Sequence, residues 1–356
     1  MKASLGDSLG QILFLRLKKN RWNASLERLL RATSPGGVLL SSPLPRPLES
    51  SRDFLRRIAS SLPLPPFLAV REEGGNYDPL DGLFPRLPSP RAAANQGVSA
   101  VARLGELIGE ALSLLGFNTN FAPLLDLATP YTEKSLGART FGSDPKCVAQ
   151  CGTAFARGQQ RHKILACGKH FPGLGSVPLP MTHRLAVSGK PMAELWREDL
   201  LPFRELLPHL PMVLVSPVAY KAYDFDHPRP VCLSTQVVEG LLRIKLGYRG
   251  LAVAYDLESD AVRGALDLGE VVIQSLNAGC DMLILDEGRP FEEALRALKA
   301  GLESGKLIRP RVEQSLERIQ TLKKRLPRRP GRIQGKSLEQ VVRRFESFSD
   351  EFGQEG

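Results

Sequence analysis

Two short stretches of this chain combine residue types that do chemistry. In the first, Lys169-His170-Phe171-Pro172-Gly173-Leu174-Gly175-Ser176 leads on to Thr182-His183. Ile164–Gly168 before it reads as a short buried strand. Pro172, Pro178 and Pro180 force a loop after it, because proline fits neither a helix interior nor a central strand. A Lys-His pair at the end of a buried strand, ahead of a Gly/Pro-rich loop, stands where an α/β barrel places binding residues. Lys169 and, elsewhere, Arg139 offer N–H donors to hydroxyls or to an acidic group. In the second stretch, Tyr255-Asp256 sets a phenol beside a carboxylate just past an apolar run. On spacing alone, the first stretch is equally a turn held by glycines with a solvated lysine.

The elements that must position these residues follow from the apolar pattern. Eight short segments, 11–16, 37–40, 67–70, 119–125, 164–168, 212–215, 251–254 and 282–285, are β-branched or leucine-rich and bounded by Gly, Pro or polar residues. That is the pattern of buried parallel strands. Between them lie amphipathic stretches. Leu104, Leu107, Ile108, Ala111, Leu112 and Leu115 follow helical spacing, with Gly116 placed to end the helix. Val312, Leu316, Ile319 and Leu322 repeat the pattern. Strand–helix alternation of this kind predicts an α/β (β/α)8 TIM-type barrel, although periodicity alone also allows an open doubly wound sheet. The barrel is expected over 1–325, as a single domain. A short C-terminal appendage, 326–356, is set off by Pro327, Pro330 and Gly331, turns basic and then acidic, and is expected to be partly disordered with a short helix over 338–347.

At 356 residues, with 42% hydrophobic and 24% charged residues, the composition is that of a soluble globular protein. No apolar run approaches the roughly 18–20 residues that cross a bilayer, and the first residues do not read as a signal peptide, so a cytoplasmic location is expected. The five cysteines are scattered and odd in number, which argues against a disulfide framework. Cys147 and Cys151 share a helix face, but no histidine lies at metal-ligand spacing, and neither a metal nor an organic cofactor is expected. The net charge of +10 is weighted towards the C-terminus. Without aromatic interleaving or a recognition motif, this reads as a solvated segment rather than a nucleic-acid site.

The motifs, taken in order, resemble glycoside hydrolase family 3, in its bacterial β-N-acetylglucosaminidase branch. Ala69-Val70-Arg71-Glu72-Glu73-Gly74-Gly75 is similar to the family's Asp-Gln-Glu-Gly-Gly. Asn120-Phe121-Ala122-Pro123-Leu124-Leu125-Asp126 resembles Asn-Phe-Ala-Pro-Val-Leu-Asp. Arg139-Thr140-Phe141-Gly142-Ser143-Asp144-Pro145 resembles Arg-Ser-Phe-Gly-Asp-Asp-Pro, and Lys169–Gly173 matches Lys-His-Phe-Pro-Gly. Leu246-Gly247-Tyr248-Arg249-Gly250 leads to Ala254-Tyr255-Asp256-Leu257, where the family has Ser-Asp-Asp-Leu. The likeness spans roughly residues 8 to 300.

The resemblance implies a (β/α)8 barrel acting on carbohydrate or cell-wall fragments. It also implies a carboxylate nucleophile at position 255 and a loop histidine as acid/base. The departures fall on those positions. Tyr255 replaces the nucleophile, and a phenol of pKa near ~10 is a weak nucleophile at pH 7. Asp256 matches the second Asp, and strand alternation would turn it away unless the backbone bulges. His183 matches the acid/base, but its tuning Asp falls on Met181. Leu174 stands where a second His is expected, Arg71 replaces an Asp that accepts from sugar hydroxyls, Asn76 replaces an Arg, and Pro217 a His. Lys169, His170, Arg139 and Arg71 are then the candidate substrate-binding residues. Asn120 and Asp126 are expected to hold the barrel top. The expectation is a glycosidase-like barrel whose hydrolysis is weak or lost. The alternatives are a retaining enzyme using Asp256 and His183, or an interaction protein using the basic tail.

Overall fold

The computed structural model describes residues 5–41, 43–178, 184–326 and 335–353. Eight parallel strands close into a barrel: β1 (Leu13–Arg16), β2 (Gly37–Leu39), β3 (Phe67–Val70), β4 (Thr119–Asn120), β5 (Leu165–Phe171), β6 (Met212–Val215), β7 (Leu251–Ala254) and β8 (Met282–Asp286). Each pairs with its sequence neighbour, and β1 pairs with β8 to close the ring. All eight expected segments therefore hold a strand, and the doubly wound alternative is excluded. Of the boundaries that differ, β5 runs on to Phe171 rather than ending at Gly168, and two others have plain physical reasons. Gln11 and Ile12 belong to a 3-10 turn, Gly6–Ile12, that precedes β1. β4 ends at Asn120, because Pro123 has no N–H to carry the ladder on; its carbonyl still accepts from Lys169 N at 3.1 Å.

The barrel interior is filled by side chains rather than hollow. The Phe14 ring stacks on Phe67, with centroids 5.9 Å apart, and meets Phe121 edge-on at 5.5 Å. Gly37 on β2 is required by this packing, since a Cβ there would lie 2.1 Å from Phe14 Cε1. At the N-terminal end of the strands Lys323 closes the floor. Its Nζ donates to Gln11 Oε1 at 2.7 Å and lies 5.3 Å from the Phe67 ring centre. Burial pushes this amine down to about 7.

The helices form where the apolar periodicity placed them. Val98–Leu115 presents Leu104, Leu107, Ile108, Ala111, Leu112 and Leu115 to the core and ends at Gly116 with φ 104°. Arg309–Lys323 buries Val312, Leu316, Ile319 and Leu322. The C-terminal segment carries a longer helix than the sequence pattern suggests, Gly335–Asp350. Val341, Phe345 and Phe348 are each 1% exposed. Phe345 packs on Phe84 with ring centroids 5.2 Å apart, Arg344 pairs with Glu106 and Glu110, and Arg103 pairs with Glu351. This helix is docked on the barrel by its apolar face. The five cysteines are free, and all but Cys147 are buried. Among the described residues no helix is long and apolar enough to cross a membrane.

Candidate functional site

The C-terminal ends of the strands carry a concentration of buried charge. β3 runs directly into Arg71-Glu72-Glu73. Glu73 is 1% exposed, and its carboxylate is clasped by two cations. Arg139, from the loop after β4, donates through Nε at 2.7 Å and through a second guanidinium N–H at 2.8 Å. Lys169, near the end of β5 and also 1% exposed, ion-pairs with the same carboxylate and donates to the Phe121 carbonyl. Burial alone would raise the Glu73 carboxyl, but Lys169 and Arg139 together hold it at about 2. Burial pulls the Lys169 amine down further than Glu73 raises it. The Tyr77 ring lies across this cluster, 4.2 Å from the Arg139 guanidinium and 5.7 Å from Lys169 Nζ.

His170, the next residue on β5, is held by Asp126 at 2.7 Å through Nδ1. Burial lowers its pKa, Asp126 opposes that, and Lys169 and Arg139 lower it again, so the imidazole rests neutral. A neutral ring facing a carboxylate carries its proton on Nδ1 and leaves Nε2 as an acceptor. Asp126 also accepts from Leu174 N at 2.8 Å, tying the Gly/Pro loop to the barrel top. Asn120 beside it ties in the chain leaving β3 instead. Its side chain accepts from Glu72 N and donates to the Glu72 carbonyl, both at 2.8 Å. Asn120 and Asp126 thus hold the barrel top.

The loop after β5 is pinned as far as the structure describes it. Leu174 is 2% exposed, so this side chain belongs to the core rather than to the site. Thr129 Oγ1 donates to the Gly175 carbonyl at 2.7 Å, and the buried Tyr220 hydroxyl donates to the Gly173 carbonyl. Gly173 has φ 123°, and a Cβ there would come within 2.8 Å of Asp199 Cβ. Met181, Thr182 and His183 lie outside the described residues.

Tyr255 and Asp256 follow β7 and face different neighbours. The Tyr255 ring packs beside His170, with centroids 5.4 Å apart and planes 33° from parallel. Burial drives its phenol far above the usual range, and the charges of Asp126 and Asp256 add to the effect. Asp256 has φ 63°, a left-handed residue just past the strand. This residue breaks the simple alternation of the strand, and the charges of Arg16 and Arg71 act on its carboxyl. Burial raises its carboxyl; Ser259, Arg16 and Arg71 pull the other way.

On the far side, Arg16 at the end of β1 ion-pairs with Asp286 and, at 3.5 Å, with Glu258. Arg71 has no ion-pair partner among the described residues; its guanidinium lies 3.4 Å from the Tyr77 hydroxyl. A cavity of about 440 Å³ opens here, lined by Arg16, Ser41, Arg71, Asn76, Tyr77 and Asp78 among others. Pro217 past β6 is buried and brings no polar side-chain atom.

The mouth therefore gathers Lys169, His170, Arg139, Arg71, Tyr255 and Asp256. It also gathers Glu73, Tyr77, Arg16 and Asp286, which the sequence did not single out. Glu73 sat in view inside the Arg71–Gly75 motif, but its partners come from β5 and from the loop after β4. Only the fold joins them.

Comparisons with known proteins agree with this geometry. The model of the "Glycosyl hydrolase family 3 N terminal domain" matches residues 5–322. A "Beta-hexosaminidase A" of Pseudoalteromonas piscicida is 28% identical over 292 residues, 74% of this chain and 48% of that protein. The chain thus spans about half the length of that relative. A "Beta-hexosaminidase" of Tolumonas auensis is 30% identical over 280 residues, 78% of this chain and 83% of the other. The solved structure of a family 3 β-N-acetylglucosaminidase from Paenibacillus superposes with a TM-score of 0.84 at 28% identity, over 98% of this chain and 69% of that one.

Proposed function

This chain belongs to glycosyl hydrolase family 3, with the likeness of its β-N-acetylglucosaminidases, and from that premise we propose a carbohydrate-binding barrel that hydrolyses little or nothing. The observation that carries the proposal is the state of Tyr255. A retaining glycosidase needs a carboxylate poised to attack the anomeric carbon and a second group to protonate the leaving oxygen. At the position matched to the nucleophile stands a phenol whose ionisation burial, Asp126 and Asp256 all oppose, so it presents O–H and not O⁻ at neutral pH. Losing the nucleophile removes orders of magnitude of rate while leaving binding contributions in place.

What remains suits binding. Lys169 and Arg139 are fixed by Glu73 in a buried cluster, and His170 is oriented by Asp126. Groups held in this way, Lys169 and Arg139 as donors and His170 Nε2 as an acceptor, do not have to be ordered when a sugar arrives, which reduces the cost of association. The Tyr77 and Tyr255 rings supply apolar faces beside them.

Asp256 supports a second reading, because its carboxyl lies within the fields of Arg16 and Arg71. In that reading Asp256 attacks and His183 is the acid/base. A single preparation tests both: calorimetric binding of N-acetylglucosamine together with turnover of a chromogenic N-acetyl-β-glucosaminide. Binding without turnover is the expected result, and turnover above background would overturn the proposal.

A further inference from the structure

The family resemblance places an acceptor of sugar hydroxyl protons at position 71, yet this chain has Arg71 there. A carboxylate only accepts and a guanidinium only donates, so the chemistry of the position is inverted. Among the described residues the new cation is also not spent on an ion pair. Arg16 on the same cavity wall is answered by Asp286 and Glu258, Arg139 and Lys169 by Glu73, and Lys18 by Asp286 at 3.2 Å. Among the described residues Arg71 has only the Tyr77 hydroxyl at 3.4 Å.

The cavity beside it holds about 440 Å³, room for a monosaccharide with a substituent. The acidic residue on its wall, Asp78, opposes an anion less than its type suggests. Asp78 hydrogen-bonds with the buried Glu72, and burial pushes both carboxyls up. Asp256 contributes field to Arg71 without reaching ion-pair distance. Among the described residues Arg71 is thus a planar donor without an ion-pair partner on the wall of an open cavity, in a mouth whose other cations are paired with carboxylates.

We propose that Arg71 receives the anionic group of an acidic sugar, a carboxylate or a phosphate, in the cavity beside β1, β2 and β3. The guanidinium fork matches either group with two parallel N–H bonds, which gives orientation as well as attraction. The inference rests on the carbohydrate-binding reading and adds the ligand class. It makes Arg71 a specificity residue that selects against neutral sugars, for which the fork has no charged acceptor.

The test is calorimetry on the full chain with N-acetylglucosamine, N-acetylglucosamine 6-phosphate and N-acetylmuramic acid. The expected result is that one acidic probe binds about tenfold or more tighter than the neutral sugar. Arg71→Gln should erase that preference, bringing the acidic probe's affinity to that of the neutral sugar, and Arg71→Lys should keep part of it. The phosphate and carboxylate arms identify the group. Equal affinity for neutral and acidic probes would overturn the role of Arg71 and leave the carbohydrate reading standing. So would a preference that survives in Arg71→Gln. Arg71→Gln that only lowers stability would mark the side chain as a countercharge for Asp256, and would also overturn it. If no probe binds, the carbohydrate reading falls with the proposal. Should Arg71→Gln fail to fold, the wild-type preference and its retention in Arg71→Lys still decide the matter.

Discussion

Replacing Glu73 by glutamine should be the most damaging near-isosteric change in the barrel mouth. The carboxylate is 1% exposed, and so is Lys169. Arg139 is bidentate on the same group at 2.7 and 2.8 Å. The amide of Glu73→Gln would keep the shape and remove the charge, leaving the Lys169 ammonium buried with the Phe121 carbonyl as its acceptor. Stranding a buried charge in this way costs about 3–5 kcal/mol. For a chain of 356 residues the unfolding entropy makes each kcal/mol worth about 1–1.5 °C, so the thermal midpoint should fall by roughly 4–7 °C. Glu73→Gln combined with Lys169→Met removes both charges and should recover most of the loss. The pH dependence gives an independent check. The Glu73 carboxyl is depressed from its ordinary 4.5 to about 2, so its stabilisation is complete above the unfolded value and drains away as pH falls towards 2. Across that window it amounts to about 3 kcal/mol. Wild-type midpoints should drop through the window more steeply than those of the variant. A loss under about 1 kcal/mol, or parallel acid profiles, would refute the argument that the cluster is a buried ion triad.

Three further outcomes follow from other parts of the structure. Tyr255→Phe keeps the ring beside His170 and removes only a hydroxyl held un-ionised, so sugar affinity should be unchanged; a clear loss of affinity would make the phenol O–H a binding group. Asp256 adopts φ 63°, where Asn is tolerated and a β-branched residue is strained, so Asp256→Val should cost about 1–2 kcal/mol more in thermal unfolding than Asp256→Asn. Phe345→Ala removes a ring that is 1% exposed and packed on Phe84, and should cost about 3–5 kcal/mol; no change in the midpoint would mean that the C-terminal helix does not dock.

The barrel was legible in the sequence because buried parallel strands are runs of one residue class. Met212–Val215 and Leu251–Ala254 coincide with their strands residue for residue. The helix Val98–Leu115 was equally plain from its leucine spacing and from Gly116. The docked C-terminal helix was not. Its apolar residues Val341, Phe345 and Phe348 are sparse among charges, and what they pack against, Phe84 and the Val98–Leu115 helix, is far away in the chain. The site divided in the same way. Lys169 and His170 stood out as a pair on one strand, and Tyr255 by its contrast with the family pattern. Glu73 gained meaning only when β3, β5 and the loop bearing Arg139 were brought together. Strand alternation suggested that Asp256 would turn away, and the left-handed φ of this residue breaks that alternation. A backbone dihedral of that kind leaves no mark in residue type beyond the mild preference of Asp for it.

The central claim is that this barrel has kept a carbohydrate site and lost its reaction. The most direct measurement is hydrolysis of a chromogenic N-acetyl-β-glucosaminide by the purified protein beside Asp256→Asn. Equal, background-level rates in the two are the predicted result. Turnover in the wild type that disappears in Asp256→Asn would mean that the site has been rebuilt around Asp256, and would contradict it.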